Sequence, residues 1–101
     1  MERSKIDVPE RTIADFCRRW RIAELALFGS VLGEEFGPDS DVDVLVTFAS
    51  DAHLSSFDLI RMKEELQTIF GREVALVEKA ALRNPFRRKT ILNNLEVIYA
   101  S

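Results

Sequence analysis

With 101 residues, 47% of them hydrophobic, the chain has material for one domain with a modest core. Fourteen Lys and Arg against seventeen Asp and Glu leave a formal charge of −3, which excludes a global pull toward nucleic acid or anionic lipid. The single cysteine, Cys17, excludes an internal disulfide, and no apolar run approaches the ~18 residues of a membrane span. With no signal-peptide pattern at the start, the expectation is a soluble cytoplasmic protein with no direct nucleic-acid partner and no membrane partner. Residues 1–101 read as a single domain, with residues 1 to 8 polar and loosely held.

Ile13, Phe16, Cys17 and Trp20 recur at helical spacing after Pro9, predicting a first helix over residues 9 to 20. In that stripe Cys17 reads as a buried structural thiol and Trp20 as a packing residue. Ala23 to Phe28 form a first strand, Gly29-Ser30 a turn, and Val31 to about Glu35 a short helix that the cluster Gly37-Pro38-Asp39-Ser40 ends. A second strand opens at Asp41 and runs through Val46. His53 falls in the following connection, where an exposed loop histidine is the simplest reading. Ser55 with Asp58 resembles a helix-capping pair, and Leu59, Met62, Leu66 and Ile69 continue a helix that Gly71 can end. On that helix Arg61, Lys63, Glu64 and Glu65 read as a solvated face. Glu73 to Val77 form a third strand, and Asn84-Pro85 cap a last helix with Phe86, Ile91 and Leu95 turned inward. Its Arg83, Arg87, Arg88 and Lys89 form either a solvated basic face, a triphosphate clamp or a partner-binding patch. Glu96 to Tyr99 add a short final strand.

Two of these stretches carry chemistry. Side chains two apart on a strand share a face, so Asp41 and Asp43 project together, about 6.5 Å apart along the backbone, while Val42 and Val44 face the core. Aspartate is disfavoured in strands, and two on one side point to a bound divalent cation. Magnesium takes oxygen ligands and is usually held by one or two carboxylates plus substrate phosphates. Upstream, with ten residues between Ser30 and Asp41, Gly29 lets the backbone approach a phosphate, and Ser30 supplies a hydroxyl donor. A Gly-Ser turn facing an Asp-x-Asp edge therefore suits a magnesium-bound nucleoside triphosphate. A calcium EF-hand would need Gly at its sixth position and Glu at its twelfth, where this chain has Val44 and Ser50, and no GxxxxGK phosphate loop is present.

Gly29-Ser30, ten residues, and Asp41-Val42-Asp43 together resemble the signature of the polymerase-beta-like nucleotidyltransferase superfamily. The run from Leu27 to Phe48, with Phe57-Asp58-Leu59, Gly71-Arg72 and Asn84-Pro85-Phe86, resembles the minimal nucleotidyltransferases that act as antitoxins beside HEPN-domain toxins. The resemblance implies an α+β fold, with helices packed against a small mixed sheet. It also implies a prokaryotic cytoplasmic setting, a HEPN toxin as partner, Mg2+ as cofactor and ATP as substrate, while exposed apolar positions on so small a chain point to a homo-oligomer (a homodimer) or a heteromer. Asp41 and Asp43 would be the metal ligands, with Ser30 beside them in catalysis, and Gly29 and Ser30 would bind the nucleotide. A third acid is expected in a Val-Asp-Leu-Val run, where this chain reads Val74-Ala75-Leu76-Val77. Glu73 is the nearby substitute, one strand step, about 6.5 Å, from that position.

Three functions follow from the resemblance. The first is transfer of AMP from ATP to a tyrosine hydroxyl of a HEPN toxin, weakened or lost through Ala75. Others are a silent binding module that neutralises its toxin by contact, and a subunit of an aminoglycoside-type nucleotidyltransferase.

Overall fold

The computed structural model describes residues 6, 8–32, 37 and 40–101. Expectations for most of residues 1 to 8, for 33–36, and for Pro38 and Asp39 lie outside the described residues. Ile6 and Val8 are half-buried and pack against the core.

Seven elements build the domain: α1 (Glu10–Arg19), β1 (Ile22–Phe28), β2 (Val42–Phe48), α2 (Ser56–Phe70), β3 (Val74–Glu78), α3 (Pro85–Asn93) and β4 (Leu95–Ala100). Short 3-10 turns follow β1 at Gly29–Leu32 and β3 at Lys79–Ala81. The four strands form one sheet in the order β3-β2-β1-β4. β1 is antiparallel to β2 and β4, whereas β2 and β3 are parallel. A parallel pair needs a crossover of a dozen or more residues, and α2 supplies it. This is the mixed sheet with helices expected of an α+β domain.

Sheet alternation divides the interior into two layers. Leu25, Leu27, Val42, Val44 and Val46 turn to one face and pack with Ile13, Phe16 and Cys17 of α1 and Met62 and Leu66 of α2. Ala26, Phe28 and Leu45 turn to the other face and meet Leu82 and Ile91 of the α3 region. Full burial of such aliphatic and aromatic side chains stabilises by roughly 1.5–3 kcal/mol each. The larger layer therefore anchors the sheet, and the smaller one holds α3 against its opposite face.

Local chemistry fixes the helix ends. The Ser55 hydroxyl accepts from the Asp58 N–H at 3.3 Å while Asp58 Oδ2 accepts from the Ser55 N–H at 3.0 Å, a reciprocal cap for α2. Gly71, at φ 69°, ends that helix in the left-handed region that glycine adopts without strain. Asn84 Oδ1 accepts from the Phe86 and Arg87 N–H groups at 3.0 and 3.2 Å, and Pro85 opens α3.

Several sequence expectations shift. The first helix begins at Glu10 with Pro9 as its cap, β1 starts at Ile22, the second strand at Val42 and the third at Val74. Trp20 sits at the end of α1, half-buried, and donates its indole N–H to Glu65 Oε2 at 2.5 Å, while Arg19 binds the other oxygen at 2.8 Å. Glu65 is thus a tie between α1 and α2 and not part of a solvated face. Phe86, expected inward, is 83% exposed, because it is only the second residue of α3 and the smaller core lies a turn further on, at Ile91.

Candidate active site at the Gly29 turn

The antiparallel register pairs Phe28, the last residue of β1, with Asp43, the second of β2. The chain leaves β1 at Gly29 with φ 76°, passing directly over the Asp43 carboxylate. A methyl group at Gly29 would collide with Asp43 Oδ2 and stand 3.2 Å from its Cγ. Only glycine offers both that backbone angle and that clearance. The two halves of the motif, ten residues apart in sequence, are therefore in contact.

Val42 and Val44 are fully buried on the α1 and α2 side, as alternation requires, so Asp43 projects on the α3 side and is half-buried. Asp41 lies one residue before the strand and is exposed. Burial is the main cause raising the Asp43 carboxyl above its ordinary value, and the negative charge of Asp41 adds to it. The guanidinium of Arg87 acts the other way. Two acids that repel each other at a partly dehydrated edge form a natural cation site, since a bound cation offsets both penalties.

Turn and strand are held from behind. Arg72, just after α2, donates to the carbonyls of Gly37 and Ser40 at 2.8 and 3.2 Å, and the Gly37 N–H donates to the Ser40 hydroxyl at 3.0 Å. These bonds fix the chain immediately before Asp41. The Val42 N–H donates to the Glu73 carbonyl at 2.9 Å, extending the β2–β3 ladder to the edge that carries the acids.

The parallel register sets Ala75 directly beside Asp43. A methyl group thus occupies the neighbouring position on the acid's own face, where a third carboxylate would lie closest. Glu73 stands before β3 and is exposed. Among the described residues no group of three or more His, Cys, Asp or Glu side chains is placed to hold a metal ion. Ser30 lies with Gly29 in the 3-10 turn, and its side chain is outside the described residues. The donor set present, two carboxylates beside a glycine-lined approach, fits one hard cation shared with phosphate oxygens.

Arg87 sits within electrostatic reach of Asp43, a role that the sequence offered only as one option for a run of four cations. The signal was there in the cap: Asn84-Pro85 fixes where α3 starts, and Arg87 lies four residues before Ile91, which is buried in the smaller core. Beside Gly29 a cavity of about 330 Å³ opens between the turn and α3, lined by Phe28, Gly29, Leu32, Thr90, Ile91 and Asn94. Cys17 lies apart from this region, fully buried, with its thiol pushed up to about 12 by that burial. His53 is exposed on the connection after β2. No helix among the described residues is long and apolar enough to cross a membrane.

The profile of the nucleotidyltransferase domain family matches residues 10–98. The protein adenylyltransferase MntA of Thermococcus cleftensis is 38% identical over 81 residues, covering 80% of this chain and 77% of that protein. A toxin–antitoxin complex crystallised with AMP-PNP matches with a TM-score of 0.73 at 18% identity, over 93% of this chain and 75% of that one. A complex of a tri-AMPylated Shewanella oneidensis HEPN toxin with its MNT antitoxin matches with a TM-score of 0.65 at 18% identity, over 91% and 70% of the two chains. At these identities the two structures establish a shared fold.

Proposed function

Because the chain belongs to the nucleotidyltransferase domain family, we propose that it is an antitoxin-type adenylyltransferase, moving AMP from ATP to a tyrosine hydroxyl of a HEPN toxin. The observation that carries this reading is the contact between Gly29 and Asp43, which brings the backbone turn of the motif against the second of its two acids. Its support among relatives is the 38% identity to a protein adenylyltransferase.

In the reaction, the acceptor oxygen bonds to the α-phosphorus, the bond from that phosphorus to the bridging oxygen breaks, pyrophosphate leaves, and the hydroxyl proton passes to solvent. Asp41 and Asp43 would hold the Mg2+, which when bound neutralises charge on the phosphate oxygens. Gly29 lets the backbone of the turn close onto the β1–β2 edge that carries Asp43, and Ser30, next in the turn, would be a hydroxyl donor to the polyphosphate. The cavity beside Gly29 is at the small end of the ~300–1,000 Å³ range of ligand sites. It suits a nucleotide fragment, and the acceptor is presented by the partner protein.

The test is transfer of label from α-labelled ATP to a co-expressed HEPN partner in the presence of Mg2+. Transfer that disappears in Asp41→Asn and Asp43→Asn supports the proposal. Failure of the unaltered chain to label its partner at high enzyme concentration rejects it.

Ala75 beside Asp43 favours a second reading, a module of this fold that neutralises its partner by contact alone. Loss of a preorganised charged group commonly costs ~10²–10³ in rate. Ala75→Asp should then raise transfer by that order if the chemistry is merely weakened. If the protein acts by contact alone, the variant leaves labelling at background, and the Asp41→Asn, Asp43→Asn double variant still protects cells.

A further inference from the structure

We propose that Arg87 binds the β- and γ-phosphates of the nucleotide, closing the site from the α3 side opposite the Gly29 turn; this rests on the nucleotidyl-transfer reading above. Four observations on α3 lead there. First, α3 packs on the same sheet face that carries Asp43, since Ile91 is buried with Phe28 and Leu45. Second, Arg87, Thr90, Ile91 and Asn94 fall at helical steps of three and four, so they share one face. The last three already line the cavity that opens at Gly29, which places Arg87 one turn further along that wall.

Third, the cations of α3 divide by what holds them. Arg88 donates to the carbonyls of Lys79 and Leu82, both at 3.4 Å, and so ties the helix to the preceding connection. Arg87 is exposed, and among the described residues its guanidinium makes no hydrogen bond or ion pair, its only cap contact being through the backbone N–H. Its fork of donors is therefore available to an anion. Fourth, Arg87 stands at the third helical position, where the positive end of the helix disfavours a cation. α3 has no acid in its first turn and no base in its last, the reverse of what helix stability asks. With the first-turn N–H groups already held by Asn84, the guanidinium is the group left to meet an anion, and a phosphate on it offsets the misplaced positive charge.

The geometry also fits the departure of pyrophosphate. A fork that grips two phosphate oxygens beyond the α-phosphorus orients the leaving group while Asp41 and Asp43 remain on the metal side.

Calorimetric titration of ATP and AMP in Mg2+ separates the possibilities without measuring transfer. Arg87→Ala is expected to weaken ATP by about 10- to 100-fold, the scale of a charge-assisted phosphate contact, and to leave AMP affinity unchanged. Arg87→Lys should recover part of the loss, and Lys89→Ala, on the outer side of α3, should change neither ligand. Equal weakening of ATP and AMP, or no weakening of ATP, overturns the assignment while the transfer reading stands. No ATP binding by the unaltered chain at millimolar concentration overturns both.

Discussion

Gly29 is the residue on which the site depends. Its φ of 76° and its contact with Asp43 act on the same atom position, so any side chain there meets two penalties at once. A left-handed angle costs an L-residue roughly 1–2 kcal/mol, and the added methyl must also displace the carboxylate. Gly29→Ala is therefore expected to lower stability by about 1–2 kcal/mol or more in chemical denaturation. It should also abolish ATP binding in the molecules that remain folded. An alanine variant with unaltered stability and affinity would show that the turn is not held against the acid. Asp43 makes the complementary point: a carboxylate at an edge where burial and a like charge oppose its ionisation is a cost to the fold.

At the scale of elements, α3 brings a third wall to a site that β1 and β2 begin. It is only nine residues long, too short to persist without its cap and its packing on Leu45 and Phe28. Asn84→Ala removes the two bonds at the helix start and should cost about 0.5–2 kcal/mol. Amide exchange should locate that loss. Protection is expected to fall across Pro85–Asn93 and to hold in β1 and β2, with ATP affinity falling alongside. Uniform loss across the sheet would instead mean that α3 is integral to the main core.

The elements were largely legible in the sequence. Alternation at Val42, Val44 and Val46 marked a strand, the Ser55–Asp58 and Asn84-Pro85 pairs marked helix starts, and Gly71 a helix end. The acid pair and the glycine were visible as a spacing, but their contact was not, because it depends on the register that sets Phe28 opposite Asp43. Ala75 was visible as a missing acid, and only the parallel ladder shows it lying beside Asp43. Glu65 and Phe86 were misread for a common reason. Periodicity gives the face of a helix, whereas the indole N–H of Trp20 and the distance of the second core from the α3 start are facts of tertiary packing.

For the whole molecule, the acid at the start of β2 couples folding to pH. Asp43 has a raised value in the folded chain, so its protonated form is favoured by folding and its ionised form is not. Its contribution to stability is present in full below the ordinary carboxylate range and is lost as pH rises through the raised folded value. Asp43→Asn in chelator should thus melt higher than the unaltered chain at neutral pH, and the difference should close as pH falls through that window. Added Mg2+ should narrow the gap at neutral pH by stabilising only the chain that keeps the acid. A variant that melts lower at neutral pH would reverse the sign and count against a strained acid at this edge.

The central claim is that the bend at Gly29 and the acids at the start of β2 enclose one divalent cation and its polyphosphate. Titrating Mn2+ with ATP into isotopically labelled protein, and reading amide line broadening residue by residue, tests it most directly. The account predicts the strongest broadening at Gly29 and at Asp41 to Asp43, and its disappearance in the Asp41→Asn, Asp43→Asn double variant. Broadening centred elsewhere on the chain, or unchanged in the double variant, would contradict it.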